Sequence, residues 1–206
     1  MNIINIVLGL PILIFSAILH EIAHGLVADR FGDPTARLSG RLTLNPLKHI
    51  DLYMSILLPA MLILSGSPII FGGAKPVPID PFNLRDGRKD VALVALAGPA
   101  TNALLAIIAS ILLHLLPDVG IITLILGIIA DYNILLAIFN LLPIPPLDGS
   151  KVFALVLPER EAQAYLALGS IGTFILLFLL IFPIGGFSLS TLINNLFNVA
   201  KGLLGV

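Results

Sequence analysis

Apolar residues in this chain fall in long blocks, separated by short stretches rich in proline, glycine and charge. The first block, Ile3 to Phe31, is long enough as a helix at about 1.5 Å per residue to cross a hydrocarbon layer roughly 30 Å thick. Asp29 and Arg30 mark its exit. From Gly32 to Asp51 the chain turns polar: Asp33-Pro34 reads as a turn, and Ala36 to Leu44 alternates with period two around Gly40, which predicts a short β-ribbon. Leu52 to Phe71 is apolar again but interrupted by Pro59, Gly66 and Pro68, a pattern open both to a segment that dips into the layer and returns and to one that crosses, which would carry Asp148 to the face opposite His24. Lys89 to Leu116, Ile121 to Leu142 and Ala162 to Phe182 read as further spans, with the proline-rich run from Pro143 to Ser150 and a short helix to Leu157 between the last two. Phe187 to Leu204 sets Asn194, Asn195, Asn198 and Lys201 among Leu, Ile and Phe, which predicts an interfacial helix. The expected architecture is an all-α polytopic membrane protein of about four to five transmembrane helices, with a re-entrant segment, a short β-ribbon and an interfacial C-terminal helix. No repeat or low-complexity linker divides residues 1–206, so a single membrane-embedded domain is expected.

Composition supports the membrane assignment. Hydrophobic residues are 58% of the chain, charged residues 11%, and the mean hydropathy is +1.07, far from a soluble domain. A net charge of −1 with no basic block excludes a nucleic-acid footprint, so partners are expected in the bilayer. There is no cysteine, which leaves only histidines and carboxylates to hold a metal. Basic residues also set topology. If 52–71 is re-entrant, Arg30, Arg37, Arg41, Lys48, Lys75, Arg85, Arg88, Lys89, Lys151 and Arg160 fall on one side, while the loop from Pro117 to Gly120 carries none.

Inside the first apolar block lies His20-Glu21-Ile22-Ala23-His24, an H-E-x-x-H pattern. Positions four apart on a helix differ by about 40°, so both imidazoles can grip one ion from one face. Glu21 stands beside them, a carboxylate able to take a proton from water that a metal such as zinc activates. A shuffled chain of this composition would carry the pattern about once in two hundred times, and ionisable groups at membrane depth are costly without a purpose. The plain alternative is a pair of packing histidines with an ion-paired glutamate. A catalytic zinc commonly takes a third protein ligand, and carboxylate oxygen is a common partner for two histidines. His49, in a loop, and His114, near the end of a span, read as structural; Asp131 lies in mid-span without a named partner. Asp148-Gly149 alone would be a turn or a helix cap. Its setting after Pro143, Pro145 and Pro146, on the side to which charge assigns His20 and His24, makes it the candidate.

With H-E-x-x-H at His20 to His24, G-P-x-x-N at Gly98 to Asn102 and N-x-x-P-x-x-x-x-D-G from Asn140 to Gly149, the chain resembles the site-2 protease family of intramembrane zinc metalloproteases. The resemblance extends over about Ile3 to Leu157, without the PDZ-like or CBS-like regions of larger members. It implies His20, His24 and Asp148 as ligands of one Zn2+ ion, Glu21 as general base, and Asn140 and Asn102 at the substrate strand or developing oxyanion. It further implies cleavage of transmembrane proteins in or near their spans, in the cell membrane, with the site nearer the cytoplasmic face. The predicted ribbon would then lie near the active site and pair with an extended substrate. The rival class is a divalent-metal transporter using His20, His24, Asp131 and Asp148.

Overall fold

The computed structural model describes residues 3–65 and 72–206. Among the described residues, three helices are long and apolar enough to cross a membrane: α1 (Ile3–Arg30), α4 (Gly87–Leu115) and α5 (Ile121–Asn140). They pack against one another with α4 in the middle. The reason is legible on α4, whose buried positions include Ala92, Ala95, Gly98, Asn102, Ala106 and Ala109. Small residues three and four apart let backbones approach closely, which is how helices associate where apolar burial alone gives no preference over lipid.

Between α1 and α4 the chain makes a compact polar knot. A single turn, α2 (Thr35–Leu38), is followed by a left-handed Gly40 (φ +61°) and a 3₁₀ turn at Pro46–Lys48. A π-type stretch, Leu52–Leu57, then runs into α3 (Leu58–Leu64). The ends of this excursion meet, since Lys75 N–H donates to the His49 carbonyl at 2.7 Å and Ser55 Oγ donates to the Gly73 carbonyl at 2.6 Å. The chain thus leaves and comes back at neighbouring points, the geometry that the expected re-entrant segment needs; the part of that expectation at 66–71 lies outside the described residues. Residues 72–80 then run without helix or strand to a 3₁₀ turn at Pro81–Asn83.

The β-ribbon expected over Ala36 to Leu44 is not formed. Those positions are the α2 turn, the Gly40 reversal and a loop, and among the described residues the one β-bridge is Ile184 with Phe187, far along the chain. The alternation came from a helical turn whose Ala36 is wholly buried against α1, not from strand pairing.

After α5 come α6 (Asp148–Phe153), α7 (Glu159–Ala167), α8 (Gly169–Ile181) and α9 (Leu189–Leu204). The span expected at Ala162 to Phe182 is broken: α7 and the stretch Ile171–Ile181 are bent by 73°. The three long helices become four spans only if that bent pair is counted as one. α9 packs against the rest of the chain. Leu189 and Ile193 bury themselves with Leu142, Leu147 and Leu176, Lys201 Nζ lies 2.7 Å from Asp131 Oδ1, and Ser110 Oγ donates to the Leu204 carbonyl. The helix therefore runs lengthwise beside α5, antiparallel to it. Leu189 and Ile193 thus find protein partners, while Leu196, Val199 and Leu203 stay exposed.

Candidate active site

His20 and His24 lie on one face of α1, about 15 and 9 Å along the axis from Arg30. Asp148 opens α6, directly after the turns that the three prolines force on residues 141–147. Gly149 is required there by space: a Cβ would stand 2.1 Å from the Leu141 carbonyl oxygen, so only glycine lets α6 press against the end of α5.

The three side chains meet. His20 Nε2 is 3.2 Å and His24 Nε2 3.1 Å from Asp148 Oδ2, and the two Nε2 atoms are 3.0 Å apart. All three residues are buried. The outer ring nitrogens are both engaged. His24 Nδ1 lies 2.7 Å from the Val94 carbonyl, which can only accept, so the proton of the neutral ring sits on Nδ1. His20 Nδ1 is 2.6 Å from Asn102 Oδ1, which fixes the same tautomer. Each ring then points a lone pair inward, toward a carboxylate oxygen. Three acceptors within 3.2 Å of one another, with no donor among them, call for a cation. The spacing suits zinc, since bonds of about 2.0–2.1 Å in a tetrahedron give ligand–ligand edges of roughly 3.3 Å. Gly98 completes the fit. A Cβ there would lie 2.5 Å from both Nε2 atoms, so the backbone of α4 forms the close back wall of the cluster.

Behind His20 the polar chain continues. Asn102 Nδ2 donates to Asn133 Oδ1 at 2.8 Å, and Asn133 Nδ2 donates to Ser16 Oγ at 2.9 Å and to the Ile129 carbonyl at 2.8 Å. Both asparagines are fully buried. Expected at the substrate or oxyanion, Asn102 instead stands behind a ring, with its amide spent on His20 and Asn133, and orients that ring. Asn133, Ser16 and Val94 were not singled out from the sequence. For Asn133 the signal existed, because an amide in a wholly apolar span needs a partner. Lys151 was missed as well: its Nζ donates to Asp148 Oδ1 at 3.0 Å, leaving Oδ2 for the cluster. Asn140 closes α5 half-buried, and its Nδ2 donates to the Leu136 carbonyl within its own helix. His49 and His114 are structural, bonded to the Thr43 and Ser110 carbonyls. Asp131 pairs with Lys201 and stands apart from the cluster, which removes the fourth member of the ion path imagined for a transporter.

Glu21 projects from the adjacent position of α1. Its Oε2 accepts the Val77 N–H at 2.8 Å, so the strap 72–80 crosses in front of the cluster. The strap packs where α1 offers least bulk: a Cβ on Gly25 would meet Leu42, Ala36 and Val77 at 2.6–3.1 Å.

Known proteins are similar to this chain. Residues 8–123 and 116–183 match the family model described as Peptidase family M50. Three similar proteins share the name "Putative zinc metalloprotease". YwhC of Bacillus subtilis is 36% identical over 88% of this chain and 84% of its own length. Rip2 of Mycolicibacterium smegmatis is 33% identical over 82% of this chain and 65% of its own length. MJ0611 of Methanocaldococcus jannaschii is 32% identical over 66% of this chain and 63% of its own length. The chain thus spans less than two thirds of the latter two relatives. No solved structure matches. A family match over most of the chain, a buried two-histidine, one-carboxylate cluster and three long apolar helices agree, and the chain belongs to peptidase family M50, the site-2 protease family of zinc metalloproteases.

Proposed function

We propose that this protein is an intramembrane zinc endopeptidase that cleaves other membrane proteins in or near their transmembrane segments. The observation that carries the reading is the convergence of His20, His24 and Asp148 below the end of α1, with Glu21 alongside. His20 Nε2, His24 Nε2 and Asp148 Oδ2 would hold one Zn2+, their directions set by Asn102, Val94 and Lys151. Bound there, zinc supplies Lewis acidity toward water and the scissile carbonyl. Glu21 takes the proton of the attacking water and passes it to the leaving amine. Asn140, at the end of α5 eight residues before Asp148, is the candidate for binding the substrate strand or the developing oxyanion. A substrate helix hides its carbonyls in its own ladder, so Gly, Pro or Asn near the scissile bond should favour cleavage by easing local unwinding.

Orientation follows from charge. His20 and His24 lie toward the Arg30 end of α1, and with 52–71 returning to that side the ten basic residues from Arg30 to Arg160 gather there, while the loop between α4 and α5 carries none. A multi-pass protein of the cell membrane with its site nearer the cytoplasmic face satisfies the positive-inside rule. The test is a reconstituted single-span substrate with native chain and Glu21→Gln. The variant is expected to keep its zinc and to lose cleavage by about 10²-fold or more. Undiminished proteolysis would remove Glu21 from its role, and zinc flux into the same vesicles without cleavage would return the transporter.

A further inference from the structure

The strap 72–80 has no ladder of its own, and its middle, residues 75–77, is held by three sets of contacts, the last of them to Glu21. Lys75 N–H donates to the His49 carbonyl at 2.7 Å. Arg41 Nη2 donates to the carbonyls of Lys75 at 2.8 Å and of Pro76 at 3.3 Å. Val77 N–H donates to Glu21 Oε2 at 2.8 Å. Prolines carry no N–H, so Pro76-Val77-Pro78 offers a single backbone donor, and it is spent on this carboxylate.

The Pro76 carbonyl and the Val77 N–H are two ends of one peptide group. A guanidinium holds its oxygen end and a carboxylate its hydrogen end, and each polarises the group in the sense that strengthens the other bond. This also explains the burial of Arg41, whose Nε has no partner. A buried cation against neutral carbonyls alone is costly, and an anion across the peptide group offsets that cost. Local structure delivers the residue: Arg41 follows the left-handed Gly40, and its own N–H donates to the Ala36 carbonyl at 3.0 Å, under the wall of α1.

We propose that Arg41 is a positioning residue for Glu21, acting through the 76–77 peptide group, and that the Val77 N–H occupies one carboxylate oxygen so that the other takes the proton. The proposal rests on Glu21 being the base, but its first test does not. Amide exchange of Val77 is measured in the membrane-reconstituted full chain, native and variant. Glu21→Ala and Arg41→Ala should each speed it about tenfold or more, while Arg37→Ala, which breaks only the surface pair with Asp29, should leave it unchanged. Exchange that ignores the loss of Glu21 or of Arg41 overturns the proposal, whatever the protease assay shows.

The second test is chemical. Val77→Pro deletes the N–H and suits an extended backbone, whereas Val77→Ala keeps the N–H and trims the side chain. Val77→Pro should lower kcat by about ten- to a hundredfold with KM within about twofold and zinc content unchanged, and Val77→Ala should stay within about threefold of native. Arg41→Lys, with one donor group in place of a fork, should recover part of the kcat that Arg41→Ala loses. A native kcat in Val77→Pro, or a loss carried by KM alone, overturns the proposal.

Discussion

The two sides of the metal cluster are built on opposite plans. Behind it stand three long helices locked by side-chain hydrogen bonds: Ser16 to Asn133, Asn133 to Asn102, Asn102 to His20, and the Val94 carbonyl to His24. In front, Glu21 answers to a backbone N–H on an irregular strap, held by one arginine and a few loop contacts. The difference follows from what each side must do. Metal ligands need fixed directions, and buried amides on rigid helices supply them. Gly98 leaves no room at the back, so under the proposed function a substrate chain would have to approach from the side of the strap.

The strongest way to break this contrast is to attack the back wall. Gly98→Ala would put a methyl carbon 2.5 Å from both Nε2 atoms, so either the histidines or α4 must shift. It is expected to abolish stoichiometric zinc and to lower cleavage by about 10²-fold or more while α4 stays folded. Metal analysis beside circular dichroism decides it, and full zinc occupancy would show the wall to be soft. Next in size is Asn102→Leu, which frees His20 to rotate and leaves Asn133 Oδ1 without its donor. Zinc affinity, measured by chelator competition, should fall about 10- to 100-fold, the usual range for losing a group that orients a ligand. Native affinity in Asn102→Leu would mean that packing alone aims the ring.

How much of this was readable beforehand divides along the same line. His20, Glu21, His24 and Asp148 were legible because ionisable groups in apolar sequence, or beside proline-broken helix, have few uses. The meeting of His20, His24 and Asp148 depended on topology, and the distribution of Arg and Lys argued for it only on the condition that 52–71 returns to the side it leaves. Asn102 was seen but misplaced, since a motif reports that an amide is needed and not which way it faces. The strap was invisible for a physical reason: Lys75-Pro76-Val77-Pro78 has neither helical nor strand period, and its hydrogen bonds go to distant residues. The ribbon expected at 36–44 failed because period-two alternation over nine residues also fits one helical turn plus a glycine reversal. For α9, periodicity found the amphipathic helix but could not show that Asp131 on α5 would receive Lys201.

The smallest predicted effect sharpens the contrast by moving the front alone. Asp33, wholly buried just past α1, accepts hydrogen bonds from Thr35 N–H and Thr35 Oγ1, from Asn83 Nδ2 at 3.1 Å, and from Asp80 N–H at 2.7 Å. It thereby ties the far end of the strap to the protease helix. Burial by itself raises its pKa, but the hydrogen bonds from Thr35, Asn83 and the Asp80 backbone outweigh it, so the carboxyl lies below its usual value. A depressed pKa means that the folded state prefers the ionised form. The resulting stability is fully present above the unfolded pKa of about 4 and is lost as pH falls through the folded value. Asp33→Asn should therefore cost about 1–3 kcal/mol near neutral pH and flatten the fall in Tm of the native chain below about pH 4. Both chains should be melted metal-free, so that protonation of His20 and His24 does not enter through zinc release. Zinc affinity at neutral pH should stay native in Asp33→Asn, because the amides that aim the histidines lie on the other side. An equal acid slope in the two chains would show that this carboxylate is not what fastens the strap, and a parallel loss of zinc would show that front and back are one unit after all.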